Sequence, residues 1–491
     1  DLGITNHEEV RLAQSLGMKV VVTDHHGLAL EQSPADAVMN PLLGDYPFRK
    51  LCGTGVAFKL AHALLGLENC LDFLDLAALA TVADIVPLVD ENRVIVREGL
   101  IRMAQTQRPG LKALMQVSDV HPPVNSGHVG FRLAPRINAA GRLGGASSAA
   151  RMFLTEDPQE AAALAEHLCN LNHRRQEEEN GIYEQIIARI KAQPELTRGK
   201  TMMLWGDGWH NGVIGIVSSR LSDRYGVPCV LISMTGDSGK GSGRSIKGFN
   251  LYAALEKNAA LLEKYGGHEL AVGLTVKREN LEALRDALEA YAHTAQNEEI
   301  VPCVNVDCRV EPEELTLREV RGLSTMEPFG MGNPQPVFLM NDVTIEEITP
   351  ISHDRHIKLH LSKQGKSFYA FVFGMGAKSC QFVKGDLLDI VFSAEINSYR
   401  GNENVQLVIK DVKWADSEEA ADREAWDTWN AFRAGQEISR EQAALLSPTR
   451  DELVAVFRHV KANCEEGVLC TSARTLYRKV RYETGSAINL G

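Results

Sequence analysis

The sequence lacks a cysteine pattern for zinc, an apolar run long enough to cross a membrane, and an excess of basic residues. Its nine cysteines are scattered, and the closest pairs, Cys303/Cys308 and Cys464/Cys470, have no second half to complete a zinc site. They read as reduced thiols in a cytoplasmic protein. The most apolar stretch, 71–89, is broken by Asp72, Asp75 and Asp84, so no segment spans a membrane. Lysine and arginine number 52 against 64 aspartates and glutamates, a net charge of −12. That excludes a protein that coats nucleic acid by bulk charge, while a local basic groove stays compatible with it. The first residue is Asp rather than Met, with no signal-like n-region, so the chain is expected to be incomplete at its amino end.

What is present is length and an ordinary globular composition. The 491 residues, 44% apolar and 24% charged, fit roughly three or four domains. The chain is organised around Lys19-Val20-Val21-Val22-Thr23-Asp24-His25-His26-Gly27. The β-branched run predicts a buried parallel strand. Ligands of α/β sheets bind just past the carboxyl ends of strands, where this carboxylate and two imidazoles fall. Asp1, in Asp1-Leu2-Gly3, and Asp84, in the apolar segment 76–88, offer companion carboxylates. Three Asp and two His in one place would repel and desolvate one another without a cation between them. Mixed carboxylate and imidazole donors suit Mn²⁺ or Mg²⁺ better than a soft metal. For the tripeptide alone, the alternative is a helix cap at Asp24 with two surface histidines.

Taken in order, Asn6 to Leu16 reads as a helix ended by Gly17, and 36–39 as a short strand before an Asn40-Pro41 turn. Leu51 to Phe58 opens an apolar helix after a tight glycine turn, whose amides can hold a phosphate or simply pack closely. A further helix runs from Leu71 through the Asp84 segment. Alternating helices and strands predict a doubly wound sheet. Residues 131–145 set Arg132, Arg136, Asn138 and Arg142 among glycines and small residues. Forked donors on a close-approaching chain suit phosphate, and a solvated loop is the alternative. Residues 158–193 read as one long helix whose polar stretch, 172–180, is expected to be exposed between domains.

A second α/β unit begins at Met202. Glycine-flanked Ser242, Arg244 and His268 read as loops able to cradle a phosphate. Residues 301–413 alternate as about five strands in ~100 residues, an OB-like barrel. Aromatics beside Lys358, His360 and Lys366 either stack single-stranded bases or fill the core. The acidic run 416–422 reads as a linker. The tail from Pro448 has helical periodicity, with Leu453, Val456, Phe457 and Val460 on one face.

Asp24-His25-His26, the Asp84 segment, Arg136-x-Asn138-x-x-Gly141-Arg142 and Gly266-Gly267-His268 occur in that order before the OB-like region. Together they resemble the RecJ family, the single-stranded-DNA-specific 5′-to-3′ exonucleases of the DHH phosphoesterase superfamily. The resemblance covers residues 1 to about 412. It implies a doubly wound parallel-sheet DHH domain at 1–170 and a connecting helix at 171–198. A second α/β domain, DHHA1, would span 199–298 and an OB-fold domain 299–413, with an acidic linker and partial C-terminal module over 414–491. It implies a two-metal site for Mn²⁺ or Mg²⁺, with Asp1 bridging the metals and His25 and Asp84 completing the second metal's shell. Asp24 and His26 would support the site and the scissile phosphate. Arg136, Asn138, Arg142, Ser242, Arg244, Gly267 and His268 would grip DNA phosphates, with Ser242, Arg244 and His268 nearest the 5′ end.

The family's Asp-x-Asp-x-x-Gly motif is expected upstream of Asp1, so the chain as written is expected to be nearly inactive. The implied activity is exonuclease hydrolysis in DNA repair and recombination. The implied partners are single-stranded DNA with a 5′ end, single-strand-binding protein and a repair helicase, with no membrane. Two other readings remain: a DHH phosphoesterase acting on short oligonucleotides, and a non-catalytic single-strand-binding scaffold.

Overall fold

The computed structural model describes residues 2–28, 31–295, 303–377, 379–399, 401–464 and 473–484. The chain divides into two compact units, Asp1–Pro302 with Pro328–Asn333, and Cys303–Glu327 with Pro334–Gly491.

The first unit opens with helix α1 (His7–Ser15) and strand β1 (Val21–Thr23), which pairs in parallel with β2 (Ala37–Met39). Of the sheet expected in this domain, the described residues contain these two strands. Val22 is buried, whereas Val21 is exposed. Helices α2 (Gly53–Leu65), α3 (Leu74–Ala83), α4 (Asp90–Met103), α5 (Pro109–Val117), α6 (Ala134–Leu143) and α7 (Ala146–Leu154) follow. Apolar residues surround α3, so it sits inside, and its Ala78 and Leu79 join Val96, Met103, Leu114, Leu133 and Met152 in one core. Helix α6 is reached through a widened turn at Val129–Leu133. Pro135 has no N–H to give to an α-helical ladder, and a π-type turn absorbs the missing bond. The arginine-rich stretch is therefore helix rather than loop, closed by Gly144 at φ +89.

Helix α8 (Pro158–Ala192) enters two cores. Ala161, Ala165 and Leu168 pack with the helices before it, and Ile182, Ile186 and Ile190 pack beneath the second sheet. Its polar stretch is not simply solvated. Arg175 Nη1 meets Glu179 Oε2 at 2.9 Å with side chains 12% and 15% exposed, and Arg175 Nη2 donates to the buried Asn172. Spacing of four residues puts both charges on one helix face, where neighbouring packing shields them.

Next come β3 (Met202–Asp207), α9 (Ile214–Tyr225), β4 (Cys229–Thr235), β5 (Ser238–Arg244), α10 (Leu251–Lys257), β6 (Lys264–His268), β7 (Ala271–Lys277) and α11 (Leu281–Ala295). The strands form one sheet in the order β3-β4-β5-β7-β6. The segments around Ser242 and Gly266, expected to be loops, are thus strands. The reason lies in the alternation of β5. A Cβ at Gly239 would stand 2.3 Å from Met234 Sδ, one at Gly241 2.9 Å from Leu274 Cγ, and one at Gly243 2.8 Å from Leu251 Cδ2. Glycine at every second position lets the core close onto one face. Lys240, Ser242 and Arg244 are left on the other.

The second unit has β8 (Cys308–Arg309), α12 (Leu317–Gly322), β9 (Phe338–Ile351), β10 (His356–Lys363), β11 (Lys366–Val372), β12 (Leu387–Tyr399) and β13 (Asn402–Trp414). Strand β9 pairs with both β10 and β12, and β11 pairs in parallel with β13, so β9 to β13 close into the expected barrel. Met340, Leu359, Ala370, Ile390, Phe392 and Leu407 fill it.

The acidic run is not a linker but the start of α13 (Asp416–Arg433), where negative residues favour the helix amino end. Helices α14 (Arg440–Leu445), α15 (Arg450–Asn463) and α16 (Ala473–Thr484) follow. The tail is tied to the barrel, because the buried Arg478 donates to Asp386 Oδ1 at 2.7 Å and lies over Trp414. Helix α15 forms as expected, yet its Leu453 and Phe457 remain exposed.

Candidate metal corner and phosphate-binding face

Strand β1 ends at Thr23, and the chain turns through Asp24, which is 1% exposed. Asp24 Oδ2 accepts the Ile4 N–H at 3.0 Å. Its Oδ1 accepts the amides of His25 and His26 at 2.7 and 3.0 Å and the His26 ring Nδ1 at 2.8 Å. Burial would raise the pKa of this carboxyl, but the donors at His26, Ile4 and His25 outweigh it and hold the value at about 2. Asp24 is therefore an ionised anchor whose oxygens are already occupied by the protein. With the carboxylate ionised, His26 carries its proton on Nδ1, leaving Nε2 as the working nitrogen on a half-exposed ring. Asn40 completes the turn by donating to the His26 carbonyl.

His25 leaves the same turn with its ring beside that of His26, the centroids 4.4 Å apart. Its Nε2 stands 3.7 Å from Asp84 Oδ2. Asp84 lies at the carboxyl end of α3, just before Ile85, which holds φ +58. A β-branched residue in that region is strained, and the strain sits next to a site carboxylate. The following turn is clasped by a distant strap, since Leu88 N–H donates to Met331 O at 2.7 Å and Ser126 Oγ to Phe329 O at 2.5 Å. A side chain at Gly330 would collide with Leu88 at 2.7 Å. Buried Cys52 caps α2 beside this corner, and its thiol is pushed up by burial and, further, by the charge of Asp84.

The gap between His25 and Asp84 is too long for a hydrogen bond and shorter than two metal–ligand bonds end to end, about 4.2 Å. One imidazole and one carboxylate fit a hard or borderline divalent cation. Asp1, the third expected ligand, lies outside the described residues, and among the described residues no group of three or more such side chains is placed to hold a metal.

The second cluster lies where α6 meets the start of α9. Arg142 Nη1 donates to Gly212 O at 2.9 Å. Arg244 leans back along β5, reaching Ser242 Oγ at 3.4 Å and Gly243 O at 2.9 Å. A Cβ on Gly215, in the first turn of α9, would stand 2.7 Å from Ser242 Oγ and 3.5 Å from Arg244 Nη2. Burial lowers the pKa of both guanidiniums. Arg142 adds to the lowering at Arg244, while Arg175 does so at Arg142, partly offset by Glu179. Neither Arg142 nor Arg244 forms an ion pair among the described residues. Cations pressed together beside a helix amino end favour a bound anion.

His268 shares the sheet face but is two strands from Arg244, with Ala271 between them. Its Nδ1 accepts from Leu270 N–H. Gly267, at φ +134, would put a Cβ 2.3 Å from Ala271 O, so only glycine turns the chain there. Arg136 bonds its own helix through Arg132 O, with its Nε buried and unpartnered. Helical spacing puts it on the opposite side of α6 from Asn138 and Arg142. Sequence reasoning missed Gly212, Gly215 and Arg175. The four-residue spacing of Arg175 and Glu179 was the available signal for the last.

In the barrel unit, Lys358, His360 and Tyr369 share an outward face. Lys358 Nζ lies 3.8 Å from the Tyr369 ring centroid, and the His360 ring is 5.2 Å from it. Tyr369 is 50% exposed and Phe373 59%. Core packing therefore does not account for either ring.

Three family models match: the DHH family N-terminal domain over residues 1–81, the DHHA1 domain over 196–294 and the RecJ OB domain over 306–411. The fold and site thus define a DHH protein carrying DHHA1 and OB domains. The chain is 37% identical over 420 residues to the single-stranded-DNA-specific exonuclease RecJ of Bacillus subtilis, covering 84% of this chain and 53% of that protein. It is 32% identical over 441 residues to the same-named protein of Salmonella typhimurium, covering 84% and 76%. A crystal structure of Thermus thermophilus RecJ with Mn²⁺ superposes with a TM-score of 0.74 at 33% identity, covering 85% of this chain and 61% of that one. The chain spans about half the length of the Bacillus relative and about three quarters of the Salmonella one. It belongs to the RecJ family. Among the described residues no helix is long and apolar enough to cross a membrane.

Proposed function

We propose that the chain hydrolyses phosphodiester bonds from the 5′ end of single-stranded DNA, using Mn²⁺ or Mg²⁺, in repair and recombination. The observation that carries this is the presence, in one compact unit, of a carboxylate–imidazole corner and an arginine pair without a carboxylate partner. His25 and Asp84, with Asp1, would hold the metal. When bound, Mn²⁺ or Mg²⁺ would lower the pKa of a water and neutralise charge on the phosphate. Asp24 fixes the ring of His26 in one tautomer, so that Nε2 can accept a proton from, or return one to, the reacting groups. Arg142, Ser242 and Arg244, with the first turn of α9, would hold the 5′ phosphate and His268 would flank it. Arg136, Asn138 and Gly267 would border the strand's path. In the barrel, Tyr369 and His360 stack bases while Lys358 meets the backbone.

That barrel face weighs against a substrate limited to short oligonucleotides. The ionised Asp24 and the paired His25 and Asp84 weigh against a scaffold that has lost its chemistry. We place the enzyme in the cytoplasm, recruited by single-strand-binding protein and a repair helicase. The test is Mn²⁺-dependent release of mononucleotides from a long 5′-phosphorylated single strand, with duplex as control. A polypeptide extended upstream of Asp1 is assayed in parallel, because the family motif is expected there. No release by either, or equal cutting of duplex, would overturn the proposal.

A further inference from the structure

Strands β5, β7 and β6 lay out three rows on the face where α9 begins. Lys240 stands opposite Thr275, and Thr275 opposite Lys264. The next row is Ser242, Gly273 and Gly266, and the one after it Arg244, Ala271 and His268. Residues two apart share a sheet face, so the rows form one continuous surface. Its middle is a glycine floor, since a Cβ on Gly266 or Gly273 would meet nothing within 4 Å. Lys240, Thr275, Lys264 and Gly273 line one cavity of about 310 Å³ with Asn211 and Ile214 from the start of α9. Both lysines are exposed, and neither forms an ion pair among the described residues.

We infer that the Lys240–Thr275–Lys264 row is a second phosphate subsite, taking a phosphate that lies on the 5′ side of the one at Ser242 and Arg244. The inference rests on the 5′-end reading proposed above. Rows two residues apart are separated by about 7 Å, and Arg244 leans toward Ser242, so the lysine row is the next station along the face. Two ammonium groups across a threonine hydroxyl offer point charges and a neutral hydrogen-bonding group, which suits phosphate without a fixed fork geometry. The bare floor leaves room for the linking atoms between stations. The ligand class is phosphate beyond the terminal one. Its sources are the β and γ groups of a triphosphorylated end, or the backbone of a nucleotide lying 5′ of the cut.

The test is competition against a fluorescent 5′-phosphorylated oligothymidylate bound to the whole chain in EDTA, with thymidine monophosphate, thymidine triphosphate and the dinucleotide pdTpdT as competitors. Either larger competitor should displace the probe about tenfold better than the monophosphate, as expected for an added charge-assisted contact. An advantage of the triphosphate assigns the row to terminal polyphosphate, and one of pdTpdT to backbone. The double variant Lys240→Ala/Lys264→Ala should erase the advantage and leave the monophosphate unchanged, and Lys240→Arg/Lys264→Arg should restore it. Equal displacement by all three competitors, or an advantage that survives the alanine pair, overturns the subsite. Arg244→Ala separates the two failures. If it leaves monophosphate competition intact, the underlying 5′-end reading is wrong. If it abolishes that competition while the lysine pair changes nothing, only the second subsite is wrong.

Discussion

The Asp24 corner and the Arg244 face are built from opposite imbalances. Around Asp24, backbone and imidazole donors use up both carboxylate oxygens. Its neighbours His25 and Asp84 stand at 3.7 Å without closing a hydrogen bond. Around Arg244, guanidinium groups repel across the cleft, and the acceptors they reach are the neutral Ser242, Gly243 and Gly212. The first arrangement favours a cation between acceptors, the second an anion between donors. The phosphodiester substrate and metal proposed above would satisfy both. The difference also shows two ways of holding a site rigid. Asp24 is fixed by a saturated carboxylate, whereas Arg244 is fixed by a strand whose glycines let the core close behind it.

The comparison breaks first at Asp84. In a polypeptide extended upstream of Asp1, Asp84→Asn should lower Mn²⁺-dependent nucleotide release about a thousandfold, since charge stabilisation by a metal contributes several kcal/mol. Strand binding in EDTA should not change, and calorimetry should show weaker Mn²⁺ binding. Near-normal turnover would remove Asp84 from the corner.

Asp24→Asn should cost about 3 kcal/mol in urea unfolding, because the amides of Ile4, His25 and His26 lose a charged acceptor. The same carboxylate sets a pH dependence. Its folded pKa of about 2 lies below the ordinary 3.8, so it stabilises the fold above pH ~4. That contribution, about 2 kcal/mol, is lost as pH falls from about 4 through 2. A variant retaining the wild-type acid slope would show that Asp24 is not the anchor.

Arg244→Ala should reduce the preference for a 5′-phosphorylated over a 5′-hydroxyl strand by about tenfold or more, read as a ratio of Kd values. An unchanged ratio would dissolve the contrast between the two sites. The smallest effect is expected in the barrel, where Tyr369→Ala should weaken long-strand binding by about tenfold and leave mononucleotide binding alone. Equal loss on both would make the ring structural.

Much of this was legible because it depends on neighbours in the chain. The β-branched run before Asp24 places the carboxylate at a strand end. The pattern of residues 158–193 predicts α8, and the alternation within 301–413 predicts the barrel. Other features were not legible. Lys240 to Arg244 looks like a loop until β4 and β7 flank it, since glycine in isolation favours turns. Arg175 and Glu179 look solvated until Arg220 of α9 and Arg142 of α6 approach them.

By itself, then, the sequence determined the order of domains, the strand that ends at Asp24-His25-His26, and the residue types suited to a metal and a phosphate. These follow from local periodicity and side-chain chemistry. Only the tertiary structure decided that Asp24 is consumed as an anchor and that His25 faces Asp84. It alone set Arg142 against Arg244, and clasped the turn after Asp84 with a strap more than 200 residues away. Each of those depends on contacts between segments distant in the chain, whose geometry is set by packing and strand register rather than by local propensity.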